Sequence, residues 1–329
     1  MNIDFFEKLY HEQLITETDL EKIKVFKTNQ SVSVHWDLRM LLYLGMVSLT
    51  SGLGIIIYKN IDTIGHETIL ITIAICCIAC FFYCIKKSKG YSNKKVESPN
   101  IWFDYVLLLG CTLMITFVGY IQYQYNVFGD RWGIATFIPM VLLFTAAYYF
   151  DHLGVLSLAI ANLAAWVSIT ATPLQIIKDN DFNDERIIYS GLILGAGLIV
   201  FSFATIRRNI KAHFAFTYKN FGTHIFFIAA LAALFHFHNI YLLLFLAFLA
   251  SGLFFYKNAL EERSFYFLVV TFLYLYIGLS YVVLNFLWSF GYDDGSSYLA
   301  LFYIIISGIG LIRLMIYYNK ILKKYDSIQ

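Results

Sequence analysis

The sequence predicts an all-α protein: a polytopic transmembrane bundle of about ten helices behind a short, polar, two-helix head. Three observations carry this. Hydrophobic residues make up 59% of the 329 and charged residues only 14%, with a mean hydropathy of +0.66. A soluble domain is about 45–50% apolar and about 25% charged. Apolar runs of about 20 residues recur from residue 40 to the end, each long enough as a helix to cross a hydrocarbon core of about 30 Å. The runs are continuous and lack the period-two alternation of a membrane β-barrel. The same composition excludes disorder, and five cysteines in 329 residues exclude a disulfide scaffold. A net charge of +2 gives no basic field of the kind that marks nucleic-acid binding.

The head, residues 1–38, reads as a pair of short helices. Residues 3–12 place Phe5, Phe6 and Leu9 on one side. Thr16 is an N-cap candidate, with Asp19 three residues on in the manner of a capping box, and Ile15 placed to staple the start. Leu20, Ile23 and Phe26 continue a helical stripe. A unit this small buries too little to stand alone, so docking on the bundle, on the membrane surface or on a cytoplasmic partner is expected. The head has no apolar h-region and no cleavage site, so the first span is expected to act as the targeting signal.

Ten spans follow: 40–58, 68–85, 102–121, 133–150, 153–171, 187–206, 221–237, 239–256, 265–288 and 298–318. The connections at Asp151–His152 and at His238 are short, so spans four and five, and seven and eight, are expected to pack as antiparallel pairs. With the N-terminus in the cytoplasm, 20 of the 24 Lys and Arg residues fall on the cytoplasmic segments. Only Lys59, Arg131, Lys178 and Arg186 fall outside. This asymmetry follows the positive-inside rule and predicts that both termini are cytoplasmic. The outer loops are acidic, with Asp179, Asp181, Asp184 and Glu185 in one and Asp293 and Asp294 in another. Tyr58, Trp102, Tyr120, Trp132, Tyr256 and Trp288 sit near span ends, where an interfacial aromatic belt belongs.

The order of the N-terminal features carries a resemblance. The head segment LYHEQLITETDLEKI leads through Arg39 into a glycine-rich span, LLYLGMVSLTSGLGIII, then into the step YKNID and a second span. This region, roughly residues 5–75, resembles the DUF2157 family of predicted bacterial membrane proteins, with Asn60 standing in the outer turn where the family has Asn-Trp. The resemblance implies a bacterial inner membrane and no catalytic residues.

Several residues are candidates for chemistry. Cys76, Cys80 and Cys84 form one stripe of the second span, CCIACFFYC, with Cys77 beside them. Three thiols on a stripe suit a soft metal, but one straight helix cannot surround it. Small-residue packing is the expected role, with acylation of Cys84 a lesser alternative and Cys111 read as packing. His236 and His238 flank a turn on the same predicted side as Asp293 and Asp294, a weak metal or proton site, since a closed zinc site needs about four ligands. Asp104, Asp151, His152, His224 and Arg313 lie at or just inside span ends. Ionisable groups inside a membrane are functional candidates, yet none of these acids reaches the bilayer centre. Gly45 and Gly52 in span one, and Gly191 and Gly195 in span six, allow close helix approach. Pro139 is placed to kink span four.

No Walker, Rossmann, HExxH or GxSxG motif is present, and no cofactor is expected. Ten spans divide as five plus five, 40–171 and 187–318, the layout of an inverted-repeat transporter. The leading expectation is a carrier or channel for a small solute or lipid. The alternative is a non-transporting scaffold, sensor or assembly factor that meets a cytoplasmic protein through residues 1–38 and the basic loops. An enzyme is less expected than either. A polar cavity at mid-membrane separates the first two.

Overall fold

A computed structural model describes residues 14–28, 65–171, 185–289 and 294–326, together with positions 6, 9, 10, 12, 40, 41, 44, 45, 48, 52, 55 and 59. The described residues are helical throughout, apart from turns and short connections. They form two compact units, Met1–Ile69 and Leu70–Gln329.

In the first unit, α1 (Glu17–Thr28) opens where the capping residues place it. The Asp19 N–H donates to Thr16 Oγ1 at 3.3 Å, and the Thr16 hydroxyl donates to Asp19 Oδ2 at 2.6 Å. That hydroxyl holds the Asp19 carboxyl below its ordinary pKa. The Leu14 N–H donates to the Leu9 carbonyl, and Leu20 is buried. Most of the first predicted span lies outside the described residues; Met40, Leu41, Leu44, Gly45, Ser48, Gly52 and Ile55 within it are helical.

The other helices are α2 (His66–Lys87), α3 (Ile101–Tyr125), α4 (Trp132–Phe150), α5 (Leu153–Ala171), α6 (Glu185–Arg208), α7 (Ala215–His236), α8 (Tyr241–Glu261), α9 (Phe265–Trp288) and α10 (Asp294–Asp326). Among the described residues these nine are long and apolar enough to cross a membrane. They overlap predicted spans two to ten, with α7 beginning at Ala215 where the sequence predicts the start of span seven at 221. The helix ends have local causes. The Asn100 side chain accepts the Phe103 N–H at 2.7 Å at the start of α3, and Ser264 accepts the Phe267 N–H at the start of α9. Asn126 and Asp151 close α3 and α4 in the left-handed conformation, which short polar side chains tolerate. Pro139, expected to open a kink, is buried inside the continuous helix α4.

One pairing differs from the expectation. α4 and α5 do pack as a hairpin, but α7 packs most extensively on α6, and α8 on α9, while α7 and α8 touch lightly. The reason is steric. A Cβ at Gly195 would lie 2.6 Å from the Phe226 backbone nitrogen, and one at Gly222 would lie 2.9 Å from the Gly195 carbonyl oxygen. The two glycines thus let the α6 and α7 backbones meet. In lipid, where apolar side chains gain nothing by leaving the solvent, such close approach dominates helix association. The Phe248 ring of α8 fills the notch at Gly278 of α9 in the same way. Phe227, Phe248, Phe255 and Tyr274 fill the space between α7, α8 and α9, with Phe227 stacked on Tyr274 at 5.0 Å between ring centroids.

Candidate functional site

The densest polar cluster gathers three connections at one end of the second unit: the 88–100 loop, the α4–α5 turn and the α6–α7 turn. Asp151 is its hub. It follows the last residue of α4 as its left-handed C-cap, and its side chain is 1% exposed. Oδ2 accepts the Val96 N–H from the first loop. Oδ1 lies 2.8 Å from Lys211 Nζ and 2.7 Å from His213 Nε2. The Lys211 side chain is fully buried, and its ammonium is ion-paired with the Asp151 carboxylate. The rings of Tyr91 and Phe214 face the same ammonium at 5.5 and 5.8 Å, a cation–π arrangement. The Lys211 N–H donates to the Asn93 carbonyl, which ties the loop down a second time.

Burial by itself raises a carboxyl pKa, but here Lys211, the Val96 N–H and His213 together outweigh it and hold Asp151 below its ordinary value. Because the carboxylate can only accept, His213 carries its proton on Nε2. His152, next along the chain, caps α5: its Nδ1 accepts the Val155 N–H at 3.1 Å. Its proton therefore sits on Nε2, which points toward Asp104 at 3.6 Å. Burial pushes the His152 pKa down against the opposing pull of Asp104 and Asp151.

A second polar track runs along α7. Lys219, almost fully buried, bonds to Asn258 and to Glu262 Oε2 and lies over the Phe267 ring at 4.6 Å. One turn deeper, His224 contacts the Tyr274 hydroxyl at 2.9 Å through Nδ1 and the Tyr266 hydroxyl at 3.1 Å through Nε2. Tyr266 donates to Asn220 Oδ1 at 2.8 Å. With that donor spent, the Tyr266 oxygen accepts from His224 Nε2–H, and Nδ1 accepts from Tyr274. The track thus joins an ion pair to a chain of imidazole and hydroxyl hydrogen bonds, and it ends against the Phe227–Tyr274 stack.

The residues singled out from sequence scatter over these and other places. Asp104 accepts the Ser98 hydroxyl and faces His152. His236 Nε2 lies 3.7 Å from Glu185 Oε1, and His238 Nδ1 lies 3.3 Å from the Tyr281 hydroxyl. Both histidines border an open cavity of about 730 Å³ with Ile228, Leu231, Ala232 and Phe235. Asp293 lies outside the described residues, and Asp294 begins α10. Arg313 is exposed on α10. A Cβ at Gly191 would come 3.0 Å from the Ala229 Cβ, whereas among the described residues nothing approaches one at Gly45 or Gly52. Cys84 is wholly buried with Phe103, Leu107 and Cys111, out of reach of an acylating enzyme. Cys77 donates to the Gly110 carbonyl at 3.5 Å. Among the described residues, no group of three or more His, Cys, Asp or Glu side chains is arranged to hold a metal.

Sequence reasoning missed Lys211, His213, Lys219 and Glu262. Lys211 carried one signal: it follows Asn209 in a basic run, RRNIKAHF, and both adopt the left-handed conformation.

No curated protein and no solved structure matches the chain. Residues 7–156, which include Asp104, Asp151 and His152 but not Lys211 and His213, the partners of Asp151 on the α6–α7 turn, match the DUF2157 family, described as predicted membrane protein; the resemblance read from residues 5–75 holds and reaches to the start of α5.

Proposed function

We propose that this multi-span membrane protein is a non-transporting one: an integral scaffold or sensor whose polar end presents a fixed surface to a protein partner. The observation that carries this reading is the placement of polarity. The ion-paired groups gather near helix ends, where Asp151 locks three connections together; His224, expected near a span end, instead lies midway along α7, held by the Tyr266 and Tyr274 hydroxyls, and the space between α7, α8 and α9 is filled by Phe227, Phe248, Phe255 and Tyr274. A carrier needs a hydrated path at mid-membrane, and ring packing of this kind closes one. We place the Asp151 end in the cytoplasm, because the basic residues concentrate on that side, and we place the protein in a bacterial inner membrane. Residues 1–38 and the basic loops are then the partner surface.

The test is photo-crosslinking in cells. A photoreactive residue at exposed positions on α1 (Glu21) and in the 88–100 loop (Lys95) is expected to yield a discrete protein adduct at both, and the same partner at each. Lipid adducts alone at both positions, with a solute accumulating in a deletion strain that purified protein moves across vesicles, would replace this reading. The carrier reading draws on one feature, the cavity beside His236 and His238. That cavity reaches from the α7–α8 turn along α7 to Ile228, and its walls other than the two histidines are apolar.

A further inference from the structure

We propose that a groove on the second unit holds one acyl chain of an anionic phospholipid, with the lipid phosphate met by Arg208. The groove has a volume of about 520 Å³ and lies among α4, α5, α6 and α7, with Phe144, Tyr148, Leu163, Gly197, Phe201 and Tyr218 on its walls. The volume falls within the range of about 300–1,000 Å³ typical of small-molecule sites. The two tyrosine hydroxyls on its walls, Tyr148 and Tyr218, bond each other at 3.0 Å. Such walls suit hydrocarbon and give no foothold to a polar solute.

Gly197, exposed on the groove wall, keeps the groove open. A glycine inside a helix costs about 1 kcal/mol relative to alanine. At Gly195 and Gly222 close helix contact offsets that cost, and Gly191 is nearly as tight. At Gly197, among the described residues, an added Cβ would meet nothing within 4 Å. The missing side chain therefore opens the groove rather than joining two helices, as glycine does where a backbone must come close to a ligand.

Charge names the other end of the occupant. Arg208 follows Gly197 by eleven residues, three helical turns, so it lies on the same face of α6 roughly 16 Å toward the helix end. It is exposed, as is Arg207 beside it. A phospholipid in register with the bilayer has this layout: phosphate at the interface and a chain descending alongside the helix. A guanidinium meets phosphate with two parallel hydrogen bonds. Two adjacent arginines also disfavour a headgroup that carries a cation, so a glycerol headgroup fits better than choline.

Native mass spectrometry of the full-length protein tests this, after detergent washing and then titration with phosphatidylglycerol or phosphatidylcholine. Wild type is expected to retain one phospholipid and to prefer phosphatidylglycerol by about tenfold. Gly197→Leu, which fills the groove, is expected to lose the retained lipid. Gly119→Leu, at another glycine with open space around it, is expected to keep it. Arg208→Gln is expected to keep lipid but to bind the two headgroups equally. Should Gly197→Leu fail to fold, wild type with a lipid carrying a photoreactive acyl chain decides, with adducts expected at the groove walls. No retained lipid in wild type, retention unchanged in Gly197→Leu, unchanged headgroup preference in Arg208→Gln, or adducts only elsewhere would each overturn the proposal.

Discussion

His152 combines a structural and a titratable role in one side chain. It caps α5 through an unprotonated Nδ1, and a protonated ring cannot accept that bond. Burial lowers its pKa from 6.5 in the folded protein, so the unfolded chain binds the proton first as pH falls. Its stabilising contribution is therefore present above about pH 6.5 and is lost as pH drops toward the folded-state value. Asn is a good helix cap and does not titrate. His152→Asn should accordingly fold and should flatten the loss of thermal stability between pH 7 and 5; an unchanged pH profile would place that titration elsewhere. Asp151 acts in a different window. Its pKa is held below 3.8, so its contribution is fully present above that value and fades only as pH falls below it. At neutral pH the informative change is removal of one partner. Asp151→Asn leaves the buried Lys211 ammonium without a counter-charge, at a cost of about 3–5 kcal/mol. Adding Lys211→Met removes the stranded charge and should restore much of that loss in a detergent unfolding assay. A double variant no better than the single one would show that hydrogen bonds to Asp151, not the ion pair, hold the three connections together.

At the scale of elements, glycines on one helix make different claims. Gly195 faces the Phe226 backbone, which cannot rotate away, whereas Gly191 faces only the Ala229 methyl. Overpacking a tight contact costs about 1–3 kcal/mol. Gly195→Ala should therefore lower the unfolding temperature clearly, Gly191→Ala less, and Leu194→Ile least. Equal effects at Gly195 and Gly191 would mean that the α6–α7 contact is looser than its backbone distances require. Gly195 was visible in the sequence as half of a small-xxx-small pair, but its partner Gly222 was not. Gly222 sits alone in NFGTH, and nothing local marks it. Span positions were legible because hydropathy needs only composition along a window. Helix pairing was not, because loop length constrains order along the chain while close packing depends on which faces meet. The expectation that α7 would pair with α8 failed for that reason.

Across the whole second unit, the contacts sort the connections by end, and this bears on topology. Asp151, Val96, Asn93, Lys211 and His213 join three connections at one end. Lys219 with Glu262, and Asn220 with Tyr266, join the α7 start to the α8–α9 turn. Glu185 with His236, and His238 with Tyr281, join the α6 start and the α7–α8 turn to the end of α9. The same alternation was legible in the Lys and Arg distribution. The Asp151–Lys211 pair was not, because its members lie 60 positions apart in two short turns that carry no motif. Charge pattern and contacts thus agree on which loops share a side. A cysteine at Asn93 should be labelled by a membrane-impermeant maleimide only after the cells are opened, and one at Asn183 in intact cells, in a background with the five native cysteines replaced. Labelling of both positions on one side would contradict the alternation. Labelling on opposite sides but reversed would leave the bundle intact and put the Asp151 end outside, where a cytoplasmic partner could not reach it.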